Sequence, residues 1–263
     1  MTYTFHRPPF RDRLVDREPL LGTFLKLPTT QPAEIIALLG FDFAVIDEEH
    51  APLNPETTDL ILLACRAQGM GCVVRVRAPG DILRVLDCGA DGVLLPHVTS
   101  AETAREAVAL CRYAGGKRGF SPTTRAGCFG GTATAAHLAA EDRRVAVIAM
   151  IEDAEAIERI DEIVAVEGLD AIFIGRGDLA VSLGADAGPD DVADATARVM
   201  AAARAAGVAI SILPADPEEA AVLALAGATA FVTGSDQGFL RAGATAARAR
   251  FAPVLQARKQ GKE

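Results

Sequence analysis

Eight times along this chain a short run of aliphatic and β-branched residues gives way to an Ala-rich stretch of helical periodicity. Short apolar runs bounded by Gly and polar turns read as buried strands, and the stretches between them as crossover helices. That alternation demands a parallel sheet covered by helices. The strands fall at 22–27, 43–47, 72–76, 92–95, 145–151, 171–174, 208–213 and 230–233. The helices fall at 32–39, 55–68, 81–88, 101–112, 154–164, 190–205 and 217–226, with a last one from 237 to 257. Eight strand–helix units close into a (β/α)8 TIM barrel of the α/β class and leave no edge, whereas an open doubly wound sheet usually has about five or six strands. The 263 residues suit one such domain over 1–263, with an N-terminal extension at 1–18.

The segments LLGFDFAVIDEEH, LDCGADGVLLPH, VEGLDAIFIGRGDL and LAGATAFVTGSD look alike because each carries a helix-ending Gly before a strand. One connection breaks the rhythm. Residues 114–144 begin AGGKRGFSPTTRAGCFGG, carry Lys117, Arg118 and Arg125, and offer a short helix at 132–142. A connection that long is usually functional or disordered.

The formal net charge of −9 repels phosphate backbones and anionic lipid, which excludes nucleic acid and membrane as partners. No apolar run approaches the ~20 residues of a membrane span. The opening MTYTFHRPPFRDRLVDREP lacks the apolar core of a signal peptide. Five cysteines, odd in number and without a C-x-x-C pair, read as reduced core residues of a cytoplasmic protein.

A barrel of this kind carries its chemistry at the carboxyl ends of its strands. The residues there are Lys26; Asp47, Glu48, Glu49 and His50; Arg75 and Arg77; His97; Glu152 and Asp153; Arg176 and Asp178; Leu213 and Pro214; Ser235 and Asp236. Glu152 and Asp178 follow adjacent strands. Two carboxylates leave most of an octahedral shell open, which suits Mg²⁺ or Mn²⁺ shared with a chelating substrate. The competing reading makes both of them helix N-caps, and it is weaker for Glu152, which ends an apolar run. His50 is either a proton shuttle held by a carboxylate or an exposed loop histidine, and both readings stay open. Arg75 is either mouth chemistry or a buried structural pair, with Arg77 on the same strand face as the structural one. His97 reads as an ordinary strand-end residue, and His6 and His137 have no supporting partners.

From Leu21 to Leu240 the chain resembles the HpcH/HpaI aldolases, class II pyruvate aldolases related to the citrate lyase β subunit. The resemblance rests on LGTFLKLP, FDFAVIDEEHAPLN, VVRVRAPG, MIEDAEAIERIDEIVAVEGLDAIFIGRGDLAVSLG and FVTGSD, in that order. It implies reversible retro-aldol cleavage of a 4-hydroxy-2-oxo acid to pyruvate and an aldehyde, with Mg²⁺, Mn²⁺ or Co²⁺ held by Glu152 and Asp178. It implies that His50 is the acid/base, paired with Asp47, and that Arg75 contacts the 2-oxo group. The backbone of Gly175, Arg176, Gly177 and Asp178 would hold the substrate carboxylate at a helix N-terminus. Arg118 and Gly119 would lie in a loop beside the site. The resemblance further implies a homo-oligomer, hexamer or trimer, with the C-terminal helix and tail (235–263) at the subunit interface.

Four positions in three segments depart from the family pattern. Arg176-Gly177 stands where Pro-Ala is common, Met150 where Gln is common and His97 where Met is common. Arg176 beside the carboxylate site would favour a substrate with a second anionic group. Three rival readings remain. A CoA-thioester lyase would use Lys117, Arg118, Arg125 and Arg176 as a basic rim. A Schiff-base aldolase would use Lys26. A metal-binding barrel without turnover would keep the site and lose the reaction.

Overall fold

A computed structural model of the chain describes residues 8–260, with side chains to Val254. His6 lies outside the described residues. The strands are β1 (Leu20–Leu25), β2 (Phe43–Asp47), β3 (Gly71–Arg75), β4 (Gly92–Leu95), β5 (Ala146–Ile151), β6 (Ala171–Ile174), β7 (Ala209–Ile212) and β8 (Ala230–Ser235). They pair in parallel in sequence order, and β8 pairs with β1 to close the barrel. The helices are α1 (Phe10–Val15), α2 (Gln31–Leu38), α3 (Pro55–Ala67), α4 (Ile82–Asp87), α5 (Ala101–Cys111), α6 (Thr134–Arg144), α7 (Ala154–Glu158), α8 (Ile160–Val164), α9 (Arg176–Leu183), α10 (Pro189–Ala206), α11 (Pro217–Leu225) and α12 (Asp236–Gln260).

Alternate residues of every strand serve two separate cores, as a two-residue period requires. Phe43, Val45, Val73, Leu94, Ile148, Met150 and Phe173 fill the barrel interior. Ala44, Ile46, Val74, Val93, Val147, Ile172 and Ile210 pack outward against the helices. Gly22 is required because the Phe43 ring lies over it. A Cβ at Gly22 would sit 2.4 Å from that ring.

Several boundaries move from their expected places. β1 begins two residues earlier than the sequence suggests. It ends at Leu25 because the Asp236 carboxylate takes the backbone N–H groups of Lys26 and Leu27, which ends the ladder. The helix expected over 154–164 is two pieces, divided at Arg159 (φ −107°, ψ 11°). Within the 1–18 segment, α1 inserts Phe10 and Leu14 into the barrel interior and so helps to fill it. No residue of the 114–144 connection lines the cavity at the carboxyl rim. Ala126 N–H bonds to the Asp87 carbonyl, and Arg144 pairs with Asp91 at 2.6 Å, both at the turn leading into β4. Arg118 is buried there against Glu141 (3.1 Å), with its guanidinium 4.5 Å from the Tyr113 ring centre. His137, expected to lack partners, is buried between Tyr113 and Phe120, with its Nε2 3.3 Å from the Tyr113 hydroxyl. Cys65, Cys72 and Cys111 are core residues, whereas Cys128 is exposed, contrary to the core reading. No helix among the described residues is long and apolar enough to cross a membrane.

Candidate active site

The inward rows that fill the barrel continue to its carboxyl rim, where their next members are polar. Two residues beyond Val45 comes Asp47, two beyond Val73 comes Arg75, and two beyond Met150 comes Glu152. Asp47 and Arg75 are register partners on adjacent strands. Arg75 donates from Nε to Asp47 Oδ1 (2.9 Å) and from Nη2 to Oδ2 (2.7 Å), a two-pronged pair that fixes the guanidinium plane. Its Nη1 lies 3.3 Å from Glu49 Oε2 and 3.9 Å from Met150 Sδ, and the group sits 5.1 Å from the Phe24 ring centre.

Asp47 also holds Lys26 Nζ at 2.9 Å and accepts the His50 backbone N–H at 3.1 Å. Burial by itself would raise this carboxyl. The Arg75 hydrogen bonds and charge, helped by Lys26 and the His50 amide, outweigh it and hold Asp47 at about 2. Lys26, the candidate for a Schiff base, is thus paired with a carboxylate at the rim. The His50 ring is about half exposed, with Nε2 3.7 Å from Glu49 Oε2.

Glu48 points the other way, as strand parity dictates. It is buried, accepts Thr58 Oγ1 at 2.7 Å and takes a fork from Arg84 at 3.1 and 2.8 Å. Arg77 donates to the carbonyls of Glu48 and Leu53 and is structural. Asp236 is likewise structural, tying the start of α12 to the end of β1.

Glu152 is 1% exposed and accepts the His97 backbone N–H at 3.0 Å through Oε1. Its Oε2 is buried and has no hydrogen-bond partner among the described residues. Burial pushes this carboxyl up to about 7. The His97 amide and ring oppose the rise, and the charges of Asp178 and Glu49 add to it. A buried carboxylate with an orphaned oxygen, raised further by a second carboxylate, has no lysine or arginine paired with it among the described residues, and a divalent cation fits that need. Gly175 packs directly on this group. A Cβ there would stand 2.7 Å from Met150 Cε and 2.9 Å from Glu152 Oε2.

His97 is the residue that sequence reasoning passed over. Its φ of 54° turns its amide to Glu152, and its ring lies among three carboxylates. Nδ1 is 3.0 Å from Asp153 and 3.6 Å from Glu152, and Nε2 is 3.6 Å from Glu49. The Pro-His-Val sequence carried a signal only in departing from Pro-Met-Val.

A cavity of about 1030 Å³ opens on this rim, lined by His50, Arg75, Gly175, Arg176, Gly177 and Asp178 and running on between α10 and α11. Gly175 caps α9, so the first turn of that helix stands at the cavity wall. Arg176 is not a free cation. It donates from Nη1 and Nη2 to Glu219 (2.5 and 2.9 Å) and from Nη2 to the Leu213 carbonyl (2.7 Å). The guanidinium therefore stands at the cavity wall already engaged in an internal ion pair. Of the four basic residues named for a CoA rim, three are engaged in ion pairs, Arg118 with Glu141, Arg125 with Asp59 and Arg176 with Glu219.

A closed parallel barrel with an anchored arginine, a half-exposed histidine and a buried glutamate at its carboxyl rim has the layout of a barrel enzyme. The family model for HpcH/HpaI aldolase/citrate lyase matches residues 20–242. The hydroxypyruvate/pyruvate aldolase of Paraburkholderia phytofirmans is 35% identical over 79% of this chain and 84% of its own length. The 5-keto-4-deoxy-D-glucarate aldolase of Salmonella arizonae is 35% identical over 89% of this chain and 93% of its own. The crystal structure of an HpcH/HpaI aldolase/citrate lyase family protein from Burkholderia cenocepacia superposes with a TM-score of 0.85 at 34% identity, covering 92% of this chain and 98% of that one. The chain belongs to the HpcH/HpaI aldolase/citrate lyase family.

Proposed function

We propose that the protein is a class II pyruvate aldolase that breaks the C3–C4 bond of a 4-hydroxy-2-oxo acid and runs the reverse condensation of pyruvate with an aldehyde. The observation that carries this reading is Glu152, whose buried Oε2 lacks a partner beside the charge of Asp178 and against the Gly175 wall of the cavity. Glu152 and Asp178 would hold Mg²⁺, Mn²⁺ or Co²⁺. A cation there supplies the positive charge that lowers the cost of negative charge on the substrate's 2-oxo oxygen.

The chain's own residues do the rest. The first-turn amides at Arg176, Gly177 and Asp178 orient the substrate carboxylate, while the Gly175 amide is bonded to the Ile151 carbonyl. Asp47 holds Arg75 by Nε and Nη2, and Nη1, which lies 3.3 Å from Glu49 Oε2, would turn an N–H to the 2-oxo oxygen as charge gathers on it. His50 takes the proton from the C4 hydroxyl. The C4 oxygen becomes the carbonyl of the departing aldehyde. The C3–C4 electron pair passes into the enolate of pyruvate, and a proton returned to C3 completes the product.

We place the protein in the cytoplasm as a homo-oligomer, a hexamer or trimer, with residues 235–263 at the interface. Leu240, Phe251 and Val254 on α12 are exposed, as are Val222 and Leu225 on α11. The functional reading is tested by coupling pyruvate release to NADH oxidation across a panel of 4-hydroxy-2-oxo acids. Release from at least one acid, abolished by His50→Ala, is the expected result. No release from any of them contradicts the reading.

A further inference from the structure

We propose that Arg176 and Glu219 form a positioning clamp that holds the turn bearing Asp178 in its working shape. The inference rests on the reading of the site given above, and it assigns a role to two residues outside the reacting groups.

Arg176 is the first residue of α9, at the end of β6. Its guanidinium crosses to the next strand–helix unit and meets both Glu219 oxygens and the Leu213 carbonyl. Glu219 completes the knot by accepting the Ala215 N–H. The β6–α9 turn is thus fastened to the β7–α11 loop along one wall of the cavity that also holds His50 and Arg75.

The turn needs an external tie. Gly175 and Gly177 flank Arg176, and a Cβ at Gly177 would meet nothing within 4 Å. Glycines give the backbone freedom that must be restrained if its amides and the Asp178 carboxylate are to keep their places. The inner side of the turn is anchored by the Gly175 N–H on the Ile151 carbonyl. The clamp anchors its outer side. Because Glu219 cancels the charge of Arg176, the pair acts by holding the turn and not by attracting a second substrate anion.

Arg176→Ala, Glu219→Gln, the double variant and Arg176→Lys test this. The expected result is a fall in kcat/KM of about ten- to a hundredfold in each of the first two, with kcat reduced as well as KM raised. The loss should be equal for monocarboxylate and dicarboxylate substrates. The double variant should be no worse than either single, because both remove one interaction. Lysine should rescue in part, since it supplies the charge without the planar fork.

Two further readouts do not need turnover. Amide hydrogen exchange over 175–179 and 213–219 should quicken at least tenfold in Arg176→Ala and Glu219→Gln, and Mn²⁺ should bind more weakly. If the wild-type protein shows no aldolase activity, these two still decide the clamp. Unchanged exchange and unchanged Mn²⁺ affinity overturn the proposal. So does wild-type behaviour of Glu219→Gln alongside an Arg176→Ala defect confined to dicarboxylates, which would mean direct substrate contact.

Discussion

Asp47 has no exposed side-chain surface, and its two oxygens serve Arg75, Lys26 and the His50 amide. A carboxyl held at about 2, against an ordinary 3.8, stabilises the fold fully above about pH 4. That contribution drains away as pH falls through about 2. Replacing Asp47 by Asn should flatten the acid limb of stability against pH in that window, read by denaturant midpoints. At neutral pH it should cost about 3–5 kcal/mol, because two cations lose a buried partner. Gly175→Ala forces a methyl against Met150 and Glu152. It should cost about 1–3 kcal/mol by overpacking and displace the Glu152 carboxylate. Turnover falling more than tenfold while the melting temperature drops by only a few degrees would show both effects. Strand parity made Asp47, Arg75 and Glu152 legible, since each is the next inward member of an apolar row. It could equally have turned Glu48 away from the site. His97 was not legible, because its role depends on a left-handed φ that nothing in Pro-His-Val announces.

The strands were the plainest elements, because burial on both faces leaves almost nothing polar inside them. β2, β4 and β6 fall where the apolar runs place them. Two helices escaped detection for physical reasons. In α9 only Leu179 is buried, so its eight residues carry no apolar stripe. In α1 the buried positions are Phe10 and Leu14, set among charged residues that read as an extension. Yet α1 fills the barrel interior. The Phe10 ring lies 5.2 Å from that of Phe43 and closes on Gly71, where a Cβ would stand 2.9 Å from it. Phe10→Ala should therefore destabilise the protein by about 3–5 kcal/mol in urea titration. A cost below about 1 kcal/mol would mean that α1 only rests against the barrel.

At the scale of the whole molecule, the eightfold alternation determined the architecture because a closed barrel satisfies every strand edge. What it left open was where a long irregular segment would lie. Residues 114–144 carry basic groups suited to a substrate rim, but those groups are consumed by Glu141, Asp59 and Asp91 on the outside of the barrel and at the turn into β4. Such pairings join residues 23 to 66 positions apart and have no local pattern. The site therefore draws its positive charge from Arg75 and Lys26, both tied to Asp47, and neither Glu152 nor Asp178 is paired with a lysine or arginine among the described residues. The most direct test is pyruvate release by protein stripped with EDTA and then titrated with Mn²⁺, wild type against Glu152→Gln and Asp178→Asn. The account predicts no turnover in the stripped protein, recovery of the wild type with Mn²⁺, and no recovery of either variant at the same concentration. Undiminished turnover in the stripped protein, or equal recovery of both variants, would contradict it.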